Sequence, residues 1–302
     1  MIRTNNVSKH FGDFTALDNV TCTIPKGCIY GMVGSNGAGK STFLRLITGV
    51  YKQDGGDIYI DDEPVFENPH IKNKIAYVPD ELFFLPGSNM KRMASFYKSI
   101  YESFDHERFD YMTTAFGLNP NKNLSTFSKG MRRQAAIILA LSCKPDYMFF
   151  DETFDGLDPH KKELLKKLIL EYINETGASI VIASHNLTEV SDICDHIAIL
   201  NGKNVILNCA IEDVSEKFRK VLVTFKNEVT ENDLAHINYH RIKLSGKTAM
   251  MTICGNVENE LVKLESMGVE SIESERLTLE EVFIEETEAA SENEKIKSIF
   301  KK

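Results

Sequence analysis

Through residues 1–210, short continuous apolar runs alternate with segments of helical period, the pattern of a sheet joined by crossover helices. Residues 29–33, 75–78, 147–150 and 180–183 are unbroken apolar runs, predicted as strands buried on both faces. After the first, Phe43, Leu44, Leu46 and Ile47 mark a helix over 42–48, with Gly49 placed to end it. Pro159 suits a first helical turn, and Leu164, Leu165, Leu168, Ile169, Tyr172 and Ile173 follow at helical spacing. Residues 88–127 break the alternation. Met90, Met93, Phe96, Tyr97, Ile100, Tyr101 and Phe104 keep a 3.6 period, and a second helix is expected before Gly117. This predicts a helical insertion between two parts of the sheet. Beyond Ile211 the pattern changes again: strands at 221–225, 250–253 and 269–272 with a helix at 258–267 predict a small α+β appendage over 216–290. Residues 291–302 read as a polar tail.

The 302 residues are enough for one large or two modest domains. With 42% hydrophobic and 26% charged residues the chain reads as globular, and its longest apolar run, residues 135–141, is far short of the roughly 20 needed to cross a bilayer. No secretory signal is visible, so the expected place is the cytosol, or the cytoplasmic face of the cell membrane through a partner. The net charge is −9, of which residues 256–302 contribute −7. No cationic cluster suits nucleic acid, so no nucleic-acid partner is expected. The cysteines (Cys22, Cys28, Cys143, Cys194, Cys209, Cys254) form no C-x-x-C pair and are expected to be reduced core residues.

Candidate chemistry centres on Gly34, Ser35, Asn36, Gly37, Ala38, Gly39, Lys40 and Ser41, which fit G-x-x-x-x-G-K-[ST] between a predicted strand and helix, with Thr42 next. Glycines let backbone N–H groups approach phosphate closely, and the following helix aims its positive end at the same anion. Lys40 adds a full charge toward the β- and γ-phosphates, and the Ser41 hydroxyl can ligate Mg²⁺. Phosphate groups and Mg²⁺ are therefore the expected ligands. The second half of such a site is an acid at the end of a neighbouring buried strand. Asp151 and Glu152 follow residues 147–150, Asp151 suited to Mg²⁺ and Glu152 to polarising the attacking water.

Phe127-Ser128-Lys129-Gly130-Met131-Arg132-Arg133-Gln134 then extends the pattern. It is similar to the signature sequence of ABC transporter nucleotide-binding subunits, and the resemblance covers nearly all of residues 1–212. It implies ATP as the nucleotide and a P-loop NTPase of the ABC type, α/β with a mixed sheet, a helical subdomain at about 88–142 and the appendage above. Ser128 and Gly130 would bind the γ-phosphate of ATP held by a second nucleotide-binding subunit, identical or a sister chain. Phe11 resembles the aromatic residue that stacks on adenine. Residues 155–158, ending in Asp158, resemble the loop that crosses the dimer interface, and His185 the histidine that contacts the γ-phosphate. Residues 277–284, Leu-Thr-Leu-Glu-Glu-Val-Phe-Ile, resemble an ending found in subunits paired with export permeases.

The family usually carries Gln where this chain has Asp80. Asp keeps an oxygen ligand but is shorter and anionic, so Asp80 is expected close to the metal, coupling it to the membrane partner. Lys129 and Met131 also depart from the usual signature. The implied function is an ATPase subunit powering a separate integral-membrane permease, received in a groove formed by the insertion at 88–127 with Phe83, Phe84 and Leu85 nearby. A soluble ABC ATPase of translation or DNA repair, and a regulatory subunit that does not hydrolyse ATP, are the alternatives.

Overall fold

The computed structural model describes residues 1–288, so all of the expected polar tail, and the last two residues assigned to the appendage, lie outside the described residues. The chain divides into two compact units between Val205 and Ile206, a few residues ahead of the break expected at 212–216. In the first unit β3 (Ile29–Val33), β6 (Ile75–Val78), β7 (Tyr147–Asp151), β8 (Ser179–Ser184) and β9 (His196–Asn201) run parallel in the order β9-β3-β8-β7-β6. Every residue of β3, β7 and β8 is buried, which is why these strands read as unbroken apolar runs. Their register decides the site. Val33 pairs with Ser184 and Asp151 with Ala183, so the segments that begin at Gly34, Glu152 and His185 leave the sheet at one carboxyl edge.

A separate antiparallel sheet, β2 (Phe14–Ile24), β1 (Ile2–Phe11), β4 (Gly55–Ile60) and β5 (Glu63–Pro64), supplies the rest of the mixed architecture. The sequence pattern did not predict it. Its strands alternate imperfectly, with register breaks between Thr4 and Val7 and between Asn5 and Ser8, so no clean period of two survives. Between the two sheets' residues lies a core that includes Phe43, Leu44 and Ile47 of α1 (Lys40–Ile47), as the helical spacing required.

After the short α2 (Pro69–Lys72), the helical subdomain comprises α3 (Met90–Ile100), α4 (His106–Phe116), a 3₁₀ turn (Leu124–Thr126) and α5 (Lys129–Ser142). Asn89, Asp105 and Ser128 cap these three α-helices by accepting the N–H of Arg92, Arg108 and Met131. Gly117, at φ 69°, ends α4 as predicted. The first helix is shorter than its apolar spacing suggests. Tyr101 turns extended and donates to the carbonyl of Ile75, while Phe104 reaches the core from a loop, against Phe109. Burial of Ile137, Ile138, Leu139 and Leu141 anchors α5; each side chain contributes about 1.5–3 kcal/mol at most. Asp158 and Pro159 open α6 (Pro159–Thr176), and Asn186 caps α7 (Leu187–Ser191). α7 lies so close to β3 that a Cβ on Gly31 would sit 2.1 Å from Val190 Cγ1.

β10 (Asn204–Ala210) leads into the second unit. There α8 (Ile211–Lys217) precedes an antiparallel sheet of order β12-β13-β11-β14, formed by β11 (Phe218–Phe225), β12 (Tyr239–Ser245), β13 (Thr248–Cys254) and β14 (Val269–Arg276). Val221, Val223 and Phe225 alternate inward and meet Leu264 of α9 (Val257–Ser266) in a core of their own. A last helix, 279–288, opens on a reciprocal cap: the Thr278 hydroxyl accepts the Glu281 N–H, and the Glu281 carboxylate accepts the Thr278 N–H. No helix among the described residues is long and apolar enough to cross a membrane.

Candidate functional site

The carboxyl edge of β3 gives way to the glycine-rich loop. Gly34 must be glycine for space, since a Cβ there would lie 2.5 Å from the Leu200 carbonyl oxygen. Gly39 sits at φ 102°, a backbone conformation that other residues rarely adopt, and is the N-cap of α1 with no side-chain cap. The leading N–H groups of α1, at Lys40, Ser41 and Thr42, have no partner within their own helix by construction, which leaves a ready anion site. Within the loop the Ala38 N–H donates to the Ser35 carbonyl, and Ser35, Asn36 and Gly37 are exposed.

Behind this loop the predicted residues converge. The Ser41 hydroxyl donates to Asp151 Oδ1 at 3.0 Å, and the Tyr77 hydroxyl donates to Oδ2 at 3.2 Å. Asp151 is fully buried; burial raises its pKa, and the two hydroxyl donors pull it partly back. Lys40, 6% exposed, donates to the carbonyls of Gly34 at 2.7 Å and Ser35 at 3.3 Å, and its Nζ lies 3.4 Å from Glu152 Oε1. The other Glu152 oxygen faces His185 Nδ1 at 2.9 Å and accepts the His185 backbone N–H at 3.3 Å. An ionised carboxylate only accepts, so Nδ1 is the donor in this contact. One ligand-type atom each of Glu152, Asp155 and His185 lies within 4.8 Å of the other two.

Glu152 has φ 49°, in the left-handed region. That conformation costs a non-glycine residue on the order of 1–3 kcal/mol and persists only where neighbours over-determine it. Its N–H donates to the Ala183 carbonyl at 2.9 Å, and its own carbonyl accepts from Arg133 Nη1 at 2.7 Å. Arg133 is 1% exposed and was not foreseen as part of the site. Its Nη1 also reaches the Asp151 carbonyl at 3.4 Å, and its Nη2 pairs with Asp80 Oδ1 at 2.8 Å. Asp80, expected beside the metal, has one carboxylate oxygen, Oδ1, paired with Arg133. The only sequence signal was a cation inside a signature segment that runs into an apolar helix. Tyr77 was read as strand core, and its second role on Asp151 was likewise unforeseen.

The other predicted residues lie apart from this cluster. Phe11, 44% exposed, ends β1 with its ring edge-on to Tyr51 at 5.6 Å and Lys9 Nζ 5.5 Å from its centre. Ser128 caps α5 and Asp158 caps α6, accepting the Lys161 N–H at 3.0 Å. Gly130 faces the 155–158 turn; a Cβ there would stand 2.7 Å from the Gly156 carbonyl oxygen.

A glycine loop, a lysine, a serine and a strand-end acid in this order define a P-loop nucleotide site. The family described as ABC transporter matches residues 17–155. NatA of Bacillus subtilis, an ABC transporter ATP-binding protein, is 30% identical over 72% of this chain and 93% of its own length. YhaQ of the same organism, an uncharacterized ABC transporter ATP-binding protein, is 29% identical over 97% of this chain and its full length. Among solved structures, an ATP-binding cassette held as a dimer with ADP and Pi after hydrolysis superposes with TM-score 0.63 at 23% identity, covering 70% of this chain and 99% of that one. The chain belongs to the ATP-binding subunits of ABC transporters, and its reaction is ATP hydrolysis.

Proposed function

We propose that the chain binds ATP on residues 34–42, with adenine stacked on Phe11, and hydrolyses it with Glu152 polarising the attacking water. The observation that carries this reading is the Lys40–Glu152–His185 chain of contacts beside the Ser41–Asp151 hydrogen bond. Lys40 is poised to exchange loop carbonyls for the β- and γ-phosphates, and His185 holds the Glu152 carboxylate in one orientation. The Ser41 hydroxyl and the Asp151 carboxylate form an oxygen-only donor set, which suits Mg²⁺. Those two residues would hold the ion, whose charge would offset that of the phosphates. Asp80, paired with Arg133, serves on this reading as a coupling residue.

A second nucleotide-binding subunit supplies Ser128, Gly130 and the Asp158 loop to the exposed face of the ATP. The dimer drives a separate integral-membrane permease, received at residues 82–86, where Phe83 is 78% exposed. Residues 277–284 favour export as the direction. The test uses Glu152→Gln, expected to lose at least about 10²-fold in turnover while forming an ATP-dependent dimer, alone or with a sister subunit. Co-purification should bring a polytopic membrane protein. Failure of ATP to pair two such molecules, or recovery of ribosomes or DNA instead, overturns the reading.

A further inference from the structure

Two consecutive arginines of α5 hold the segment that follows β6. Arg132 Nη2 donates to the Leu82 carbonyl at 3.2 Å, with its guanidinium 5.9 Å from the centre of the Phe84 ring. Arg133 takes the Asp80 carboxylate on one arm and the Glu152 carbonyl on the other, at 2.8 and 2.7 Å. A planar guanidinium donates along fixed directions, so its two arms cannot move independently. Arg133 is buried while the Asp80 side chain is half exposed. A displacement of the exposed end is therefore transmitted to the carbonyl of Glu152, a residue held in the left-handed region.

We infer that Arg133 is a positioning residue for hydrolysis: through its fork, the placement of Asp80, at the start of the segment that Arg132 holds at residues 82–84, sets the backbone, and hence the carboxylate direction, of Glu152. Asp80 takes part as the other half of the pair, not as a ligand of the nucleotide. The inference rests on Glu152 as the water-polarising residue. The loss of turnover in Glu152→Gln tests that separately.

The experiment is a double-substitution cycle in the full chain, with Asp80→Ala, Arg133→Gln and both together, reading kcat, equilibrium ATP affinity and melting temperature. Each single change is expected to lower kcat about tenfold, as for a lost charge-assisted hydrogen bond. ATP affinity should stay within about twofold, and the double variant should be no slower than Arg133→Gln alone. Multiplicative losses in the double variant, or affinity falling in step with kcat, would overturn the inference. Should Arg133→Gln fail to fold, Asp80→Ala decides: it removes a half-exposed carboxylate, and a kcat equal to the unsubstituted protein's refutes the role.

Discussion

Gly130 and Gly156 touch backbone to backbone, leaving 2.7 Å between the Gly156 carbonyl oxygen and the place where a Gly130 side chain would begin. The opening turn of α5 is thereby fixed against the turn that precedes α6. Gly130→Ala tests the contact. Alanine favours a helix over glycine by about 1 kcal/mol, so intrinsic propensity predicts stabilisation. The collision with a backbone atom is expected to outweigh it, lowering the melting temperature and cutting ATP turnover at least about tenfold. A stabilised, fully active variant would remove the contact as a constraint.

Ser128 has an observed capping role and a proposed phosphate-binding role that substitution can separate. Its hydroxyl caps α5 through the Met131 N–H at 3.2 Å. Ser128→Ala should cost about 1 kcal/mol of stability together with activity. Ser128→Asp retains a good cap, so stability should hold, while a carboxylate facing the γ-phosphate should abolish turnover. Urea unfolding midpoints read beside ATPase rates separate the two.

Phe11 is 44% exposed and meets the Tyr51 ring in an edge-to-face pair. Loss of a base–aromatic stack is worth about 1–3 kcal/mol. Phe11→Ala should therefore weaken ATP binding about tenfold while leaving pyrophosphate binding nearly unchanged. Equal weakening of both ligands would place adenine elsewhere.

Glu286 of the final helix has its pKa raised by burial, with His240 Nε2 at 4.0 Å drawing it only partly back. The folded protein therefore holds a proton that the unfolded chain releases first. Between the ordinary glutamate range and the raised folded value, stability falls as pH rises, and the loss is complete above that value. Glu286→Gln should be more stable than the unsubstituted chain at neutral pH, the advantage vanishing below about pH 4. Denaturant titrations across pH 4–8 check this, and a gap that does not vary with pH refutes it.

How much of this was legible beforehand follows from what each residue faces. β3, β7 and β8 are buried on both sides, so composition alone reveals them. The nucleotide loop was visible because close approach to phosphate leaves glycine few substitutes. β1 and β2 were not, because half their residues meet water and bulges break the alternation. Tyr101 and Phe104 fell on a helical period yet pack from a loop, since spacing does not distinguish a turn of helix from a chain that doubles back to the same core. Arg133 was hidden for a related reason. A cation in an apolar helix reads as solvent-facing until its partners, three carbonyls and a carboxylate distant in sequence, are brought beside it.

The bare strand position at Gly31 has a reach that its place inside a buried apolar strand conceals. The helix it admits is the one that starts just after His185, so a methyl group at 31 would wedge that helix outward and tug the imidazole off Glu152. Such a lesion would masquerade as damage to the chemistry itself: a protein that still captures ATP yet idles, disabled from the far side of the strand by a single misplaced carbon.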